Sequence, residues 1–199
     1  MTATYNNIGL IYDAQGNYAE ALKWYEKSLK VKEEIGDRAG LAATYNNIGR
    51  IYTAQGDYSE ALKWYQKSLN IVEKIGDRAG LATIYNGIGL VYKVQGNYSE
   101  ALKWYEKSLK IREEIGDRAG LATTQNNLGA IHYAQGDYSE ALKSYQKSLK
   151  IFRQTGNKHL LAMLLKNIGL LYQQMDKKEE AKKHLQESQK LFKELGSEE

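Results

Sequence analysis

Between Leu41 and Gly80 the apolar and small residues fall on two stripes, each with the spacing of one helix face. Leu41, Tyr45, Ile48, Gly49 and Tyr52 recur at separations of three, four and seven residues, the rhythm of a helix with 3.6 residues per turn. The stripe breaks at Gln55-Gly56-Asp57, where Gly suits a left-handed C-terminal residue and Asp57 can accept hydrogen bonds from the next helix's free amides. Tyr58, Ala61, Leu62, Tyr65, Leu69 and Val72 form the second stripe, closed by Gly76 with Asp77 as the following cap. The pattern predicts two antiparallel helices, A and B, of roughly 15 to 18 residues and about 25 Å each, joined by tight turns.

This hairpin repeats every 40 residues: Tyr5-Asn6-Asn7-Ile8-Gly9 returns as Tyr45-Asn46-Asn47-Ile48-Gly49, Tyr85-Asn86-Gly87-Ile88-Gly89 and Gln125-Asn126-Asn127-Leu128-Gly129. A fixed period of this length marks a solenoid, in which no unit buries its apolar face without its neighbours. The expected architecture is all-α: a right-handed superhelical solenoid of five antiparallel helix pairs, forming a single array over 1–199. Its units are 1–37, 38–77, 78–117, 118–157 and 158–199. Gly9, Gly49, Gly89, Gly129 and Gly169 lie inside helix A, where Gly costs up to about 1 kcal/mol relative to Ala. Close approach of helix B at Ala21, Ala61, Ala101, Ala141 and Ala181 is the expected compensation. Trp24, Trp64 and Trp104 are expected to pack between units. Arg38, Arg78, Arg118 and Lys158 follow the capping residues and oppose the helix dipole, so Glu33, Glu34, Glu73, Glu113 or Glu114 of the preceding helix are expected to compensate them.

The ends differ from the middle. The last unit keeps Asn167-Ile168-Gly169, Tyr172 and Ala181 but places Lys178, His184 and Leu185 where other repeats carry aromatic residues. With Lys177, Lys182 and Lys183 it reads as a solvating C-terminal cap. The first unit has no Gly-Asp-Arg-Ala-Gly turn before it, which suggests an array cut from something longer, with an uncapped face open to self-association.

Composition narrows the function. A chain 42% hydrophobic and 26% charged falls within the range of ordinary folded proteins. It contains no Cys, which excludes disulfides and thiol chemistry. A net charge of +4, with the signs interspersed, does not favour nucleic acid. No apolar run approaches the length of a membrane span and Met1-Thr2-Ala3-Thr4 lacks a signal peptide's regions, so a soluble, cytoplasmic protein with no membrane partner is expected. The sequence has no phosphate-cradling loop, no His-Glu-x-x-His and no Gly-x-Ser-x-Gly. His132, His159 and His184 occupy unrelated repeat positions, so neither a metal site nor a catalytic constellation is expected. Carboxylates such as Glu20 and Glu60 sit three residues before Lys23 and Lys63 and read as solvated pairs. Asn97-Tyr98-Ser99 is read as an accidental glycosylation match.

The columns Tyr45, Ile48-Gly49, Tyr52, Gly56, Ala61, Tyr65 and Ser68 resemble the tetratricopeptide repeat across essentially the whole chain. The chain departs from that pattern in its 40-residue period, where 34 is usual, and in carrying Glu33, Glu73 and Glu113 where the family has Pro. The longer repeat is similar to those of kinesin light chains, Leu-Gly-Asn-rich spindle-orientation proteins and prokaryotic regulators. The resemblance implies that A helices line a concave groove containing Asn6, Asn46, Asn86 and Asn126, then Leu10, Arg50, Leu90 and Ala130, then Asp13, Thr53, Lys93 and Tyr133.

The second and third units agree at 28 of 40 positions, and seven of the differences fall in helix A. The Arg50 and Thr53 rows vary while the first Asn row is constant through four repeats. A constant Asn can clamp an extended peptide's backbone while variable rows read its side chains. Lys166, which replaces Asn in the fifth unit, is expected to meet an acidic group or the peptide's end. In the alternative, this Asn column or its neighbour Asn7, Asn47, Asn127 and Asn167 bonds between adjacent helices. The function expected is a noncatalytic, cofactor-free scaffold for a protein or peptide partner. The alternative is an oligomerisation or regulatory array, and the near identity of the units also suits an engineered, consensus-like scaffold.

Overall fold

Each predicted stripe becomes one helix. The computed structural model describes residues 2–196, and Met1 and Ser197–Glu199, the predicted ends of the first and last units, lie outside them. In chain order the helices are α1 Thr2–Ala14, α2 Tyr18–Ile35, α3 Arg38–Gln55, α4 Tyr58–Ile75, α5 Arg78–Val94, α6 Tyr98–Glu114, α7 Arg118–Ala134, α8 Tyr138–Thr155, α9 Lys158–Gln174 and α10 Lys178–Glu194. Odd-numbered helices are the A helices and even-numbered ones the B helices. They cluster into two compact lobes, Met1–Ile111 and Arg112–Glu199.

The turns work as the sequence predicts. Gly56 takes φ 81°, a left-handed conformation that lets its N–H close the last turn of α3 on the Thr53 carbonyl. Asp57 then caps α4, its carboxylate accepting from the Glu60 N–H at 3.1 Å. Asp37 and Asp77 cap α3 and α5 in the same way, from the Gly40 and Gly80 N–H at 2.8 Å. Lys177 stands at this position before α10 and makes no side-chain cap.

The glycine row has a different partner from the one expected. A Cβ on Gly49 would lie 3.0 Å from the Tyr65 ring, and one on Gly129 2.5 Å from Tyr145. Helix A is therefore small at this point to admit a whole buried phenol ring, and the Ala row, although fully buried, is not what meets it. The Ser68 column ties the same helices: Ser68 Oγ donates to the Ala42 carbonyl at 2.7 Å and Ser148 Oγ to Ala122 at 2.8 Å.

One further expectation is filled in and another corrected. Trp64 and Trp104 pack, as expected, on clusters that join neighbouring hairpins. Trp24, Trp64 and Trp104 stack within their own hairpins, against Tyr5, Tyr45 and Tyr85 at centroid distances of 5.7, 5.5 and 5.4 Å. Lys27, Lys67 and Lys107 cover their outer faces at about 4 Å, so each Trp ring carries a cation on its solvent side. In the basic row, Lys158 Nζ donates to Glu194 at 2.8 Å and Arg118 to Gln154, both at the end of the following helix. Hairpin closure brings those groups together, whereas Glu33 of the preceding helix lies against Tyr45, whose phenol is raised above its ordinary pKa by burial and then by that carboxylate.

Within each lobe the seams between hairpins alternate in chemistry. Lys32, 5% exposed, ends in the α2–α3 seam, its Nζ donating to Thr44 Oγ1 at 2.8 Å and to the Gly40 carbonyl at 3.0 Å. In the α4–α5 seam the matching positions are Val72 and Ile84, both buried in one apolar cluster. In the second lobe buried Arg112 accompanies buried Thr124, with Arg112 paired to Asp117 at 2.6 Å, and Phe152 accompanies Leu164 in an apolar cluster.

Candidate functional site

The A helices of the first lobe line a groove of about 650 Å³ that brings together Asn46, Arg50 and Thr53 of α3 with Asn86 and Leu90 of α5. Asp13, Ala54, Val94 and the B-helix rings Tyr18 and Tyr58 complete its rim, and Tyr65 and Gly87 lie at its base. Five of the ten predicted groove residues thus share one concavity. Lys93 neighbours it on α5, half-buried, and burial pulls its ammonium below the ordinary lysine pKa.

Asp13 and Arg50, read from sequence as two separate rows, form one ion pair at 2.7 Å. Asp13 is 10% exposed and Arg50 52%, so the carboxylate sits in the floor and the guanidinium at the surface. The pair neutralises the groove's main charge. Burial raises the Tyr25 phenol to about 12, Asp13 adding to the rise and Arg50 opposing it. Burial also raises Tyr65, against the Thr53 hydroxyl and the Arg50 charge.

The interhelical alternative for the Asn rows is seen at two positions. Asn6 Oδ1 accepts from Asn47 Nδ2 at 3.4 Å and from Thr44 Oγ1 at 3.3 Å, and Asn126 Oδ1 accepts from Asn167 Nδ2 at 3.1 Å. Asn6 and Asn126 thus commit their oxygens to the next repeat's second-row amide, while Asn46 and Asn86 line the groove. Asn126, Tyr133 and Lys166 belong to the second lobe. There Tyr133 packs on Tyr138 at 5.9 Å and against the buried cluster, while Lys166 is exposed.

The groove presents neutral amides, a compensated ion pair and an apolar wall of Leu90, Val94 and Ala54. Such a surface can hydrogen-bond a backbone and shelter aliphatic side chains. Among the described residues no group of three or more His, Cys, Asp and Glu is placed to hold a metal, and no helix is long and apolar enough to cross a membrane.

The pattern of the tetratricopeptide repeat matches residues 1–74, 43–114, 80–154 and 120–194. The chain belongs to the tetratricopeptide repeat family. Solved structures share this fold at low identity. BtubC (BKLC) from P. vanneervenii is 20% identical with a TM-score of 0.77, over 96% of this chain and 79% of that one. A Rap protein complexed with Competence and Sporulation Factor is 17% identical with a TM-score of 0.88, over 96% of this chain and 54% of that one. A signal transduction ATPase with numerous domains and a tetratricopeptide repeat sensor, from Pyrococcus horikoshii, is 24% identical with a TM-score of 0.81, over 96% of this chain but 29% of that one. This tetratricopeptide chain therefore spans about half of the Rap protein and under a third of the ATPase. No curated protein matches it in sequence.

Proposed function

We propose that this tetratricopeptide chain is a noncatalytic, cytoplasmic scaffold that holds an extended peptide segment of a partner protein along its A-helix groove. The supporting observation is the convergence of Asn46, Arg50, Thr53, Asn86 and Leu90 on one concavity of about 650 Å³, a size suited to several peptide side chains. The Rap protein solved with Competence and Sporulation Factor is a fold neighbour with a bound factor, which agrees with this use of the fold. Affinity then comes from many modest contacts on a preorganised surface. A photo-crosslinking residue at position 90 should capture a partner from the native cell extract, while one at exposed Lys30 on α2 should not. Equal labelling from the two positions would overturn the groove.

A second reading rests on Ile11. It is 57% exposed, while its counterparts Ile51, Val91, Ile131 and Leu171 are fully buried. A further hairpin laid on α1, from a second copy of the chain, would cover it. Light scattering over a concentration series tests this, and a strict monomer at high concentration sinks it.

A further inference from the structure

At two positions in this chain a basic side chain of a B helix meets the carboxylate that caps the next helix. A Cβ on Gly40 would press on Asp37 Oδ2 and lie 2.8 Å from Lys32 Cε, and one on Gly120 would overlap both the Arg112 guanidinium and Asp117 Oδ2. The bare backbone of each glycine is therefore where a cation passes beside a capping Asp. Lys32 ends on the Gly40 carbonyl at 3.0 Å, and Arg112 pairs with Asp117 at 2.6 Å. Where Phe152 stands in the cation's column, the next cap is the neutral Asn157. The α4–α5 seam keeps the Asp and lacks the cation. A Cβ on Gly80 would press on Asp77 Oδ2 and lie 2.9 Å from Val72 Cγ1. Asp77 accepts the cap bond from the Gly80 N–H and makes no ion pair among the described residues.

A cavity of about 230 Å³ lies at this place, walled by Ala39 and Ala43 of α3 and by Val72, Gly80 and Ile84, and Asp77 is the one charged residue on its lining. Asn46 and Thr83 line both this cavity and the groove, so the two are continuous between α3 and α5. We propose that the cavity takes a lysine or arginine side chain of the bound peptide. That side chain leaves the groove between Asn46 and Thr83, lays its aliphatic stem on Ala43, Val72 and Ile84, and brings its cation to Asp77 Oδ2, as Arg112 does to Asp117. A carboxylate in the same place faces Asp77 as a like charge. An aliphatic side chain matches the walls but covers the Asp77 carboxylate without offering it a donor. A long basic side chain satisfies both the apolar walls and the charged end. This inference rests on the groove reading above and adds the identity of one ligand side chain.

The test is selection of random ten-residue displayed peptides on the full chain and three variants. Asp77→Asn removes the charge and keeps a capping oxygen, since Asn17 and Asn157 cap α2 and α9 in this same chain. Ala43→Met narrows the passage from the groove with the residue that the fifth repeat carries in this column, exposed Met163. Asp57→Asn removes an equal charge at the cap of α4, outside the cavity, and circular dichroism melting verifies that each variant folds. Lys or Arg should be enriched about tenfold at one fixed peptide position on the native chain. That preference should vanish on Asp77→Asn and Ala43→Met and persist on Asp57→Asn. Its survival on either of the first two variants, or its equal loss on the third, would overturn this proposal. Enriched peptides with no basic position would overturn it and leave the groove standing, and no enrichment on the native chain would overturn both readings.

Discussion

The α2–α3 and α4–α5 seams occupy the same positions in successive repeats and are built from opposite chemistry. In the first, Lys32 donates to Thr44 at 2.8 Å, and the Thr44 hydroxyl reaches Asn6 at 3.3 Å. A polar chain thus runs from the buried seam to Asn6 of α1. In the second, Val72 and Ile84 are 2% and 1% exposed and end any such chain before Asn46. A polar seam spends its hydrogen bonds internally and quiets the groove amide above it. Over the apolar seam the corresponding amide, Asn46, lacks that seam partner.

The largest break in this comparison is to place one seam's chemistry in the other. Val72→Lys buries an ammonium against Ile84, which has no acceptor, and should destabilise by about 4 kcal/mol, read as a shift of the urea midpoint. Adding Ile84→Thr should recover at least about 1 kcal/mol of that loss, because the two positions act as a pair. Additive losses would show that the residues are independent and that the alternation has no energetic meaning. The reverse exchange, Lys32→Val with Thr44→Ile, replaces a buried cation and its acceptor by a well-packed pair and should stabilise by about 2 kcal/mol. A loss of stability on that exchange would mean the Lys32 network contributes more than its desolvation costs.

The exchange should also reach the groove. Asn6→Ala strips an acceptor from Asn47, which is 9% exposed, and should cost about 1 kcal/mol. Asn46→Ala removes a side chain with no partner among the described residues and should stay within about 0.5 kcal/mol. Equal costs in thermal melts would erase the distinction between a committed and an unpartnered amide.

The helices and turns were legible in the sequence because the first four hairpins each close with their own Gly and capping Asp or Asn, which are local signals. Partners four residues apart on one face were not. Ala61 and Tyr65 lie on the same stripe of α4, and spacing alone does not reveal that the ring is what meets Gly49. The basic row misled for a related reason: Lys158 meets Glu194, near along a folded hairpin but far in sequence. Comparing repeats identified helix A as the variable element without separating its two sides. Arg50/Leu90 and Thr53/Lys93 vary around the groove, but Thr44/Ile84 vary in the seam, where both are buried. The Asn47/Gly87 difference read as one more variable column, and only the Asn6–Asn47 bond shows that it removes an interhelical amide contact.

The smallest expected effect is a pH dependence confined to one seam. Burial lowers the Lys32 pKa, and the Asp37 charge opposes this without cancelling it. The folded value therefore lies below the unfolded value near 10.5, and between the two the unfolded chain binds more protons. Native stability then gains as pH rises through that window, the reverse of a lysine held by a salt bridge. The Tyr25 and Tyr65 phenols, raised by burial, act with the opposite sign once pH passes the ordinary tyrosine value. They are present in native and exchanged proteins alike and cancel in the difference. The advantage of Lys32→Val with Thr44→Ile over the native chain should therefore shrink as urea melts are moved from about pH 8 to about pH 10. The conservative Val72→Ile, in the seam without a titrating group, should differ from the native chain by the same amount throughout. If both differences stay flat, Lys32 titrates as a solvated lysine and the two seams differ in packing alone.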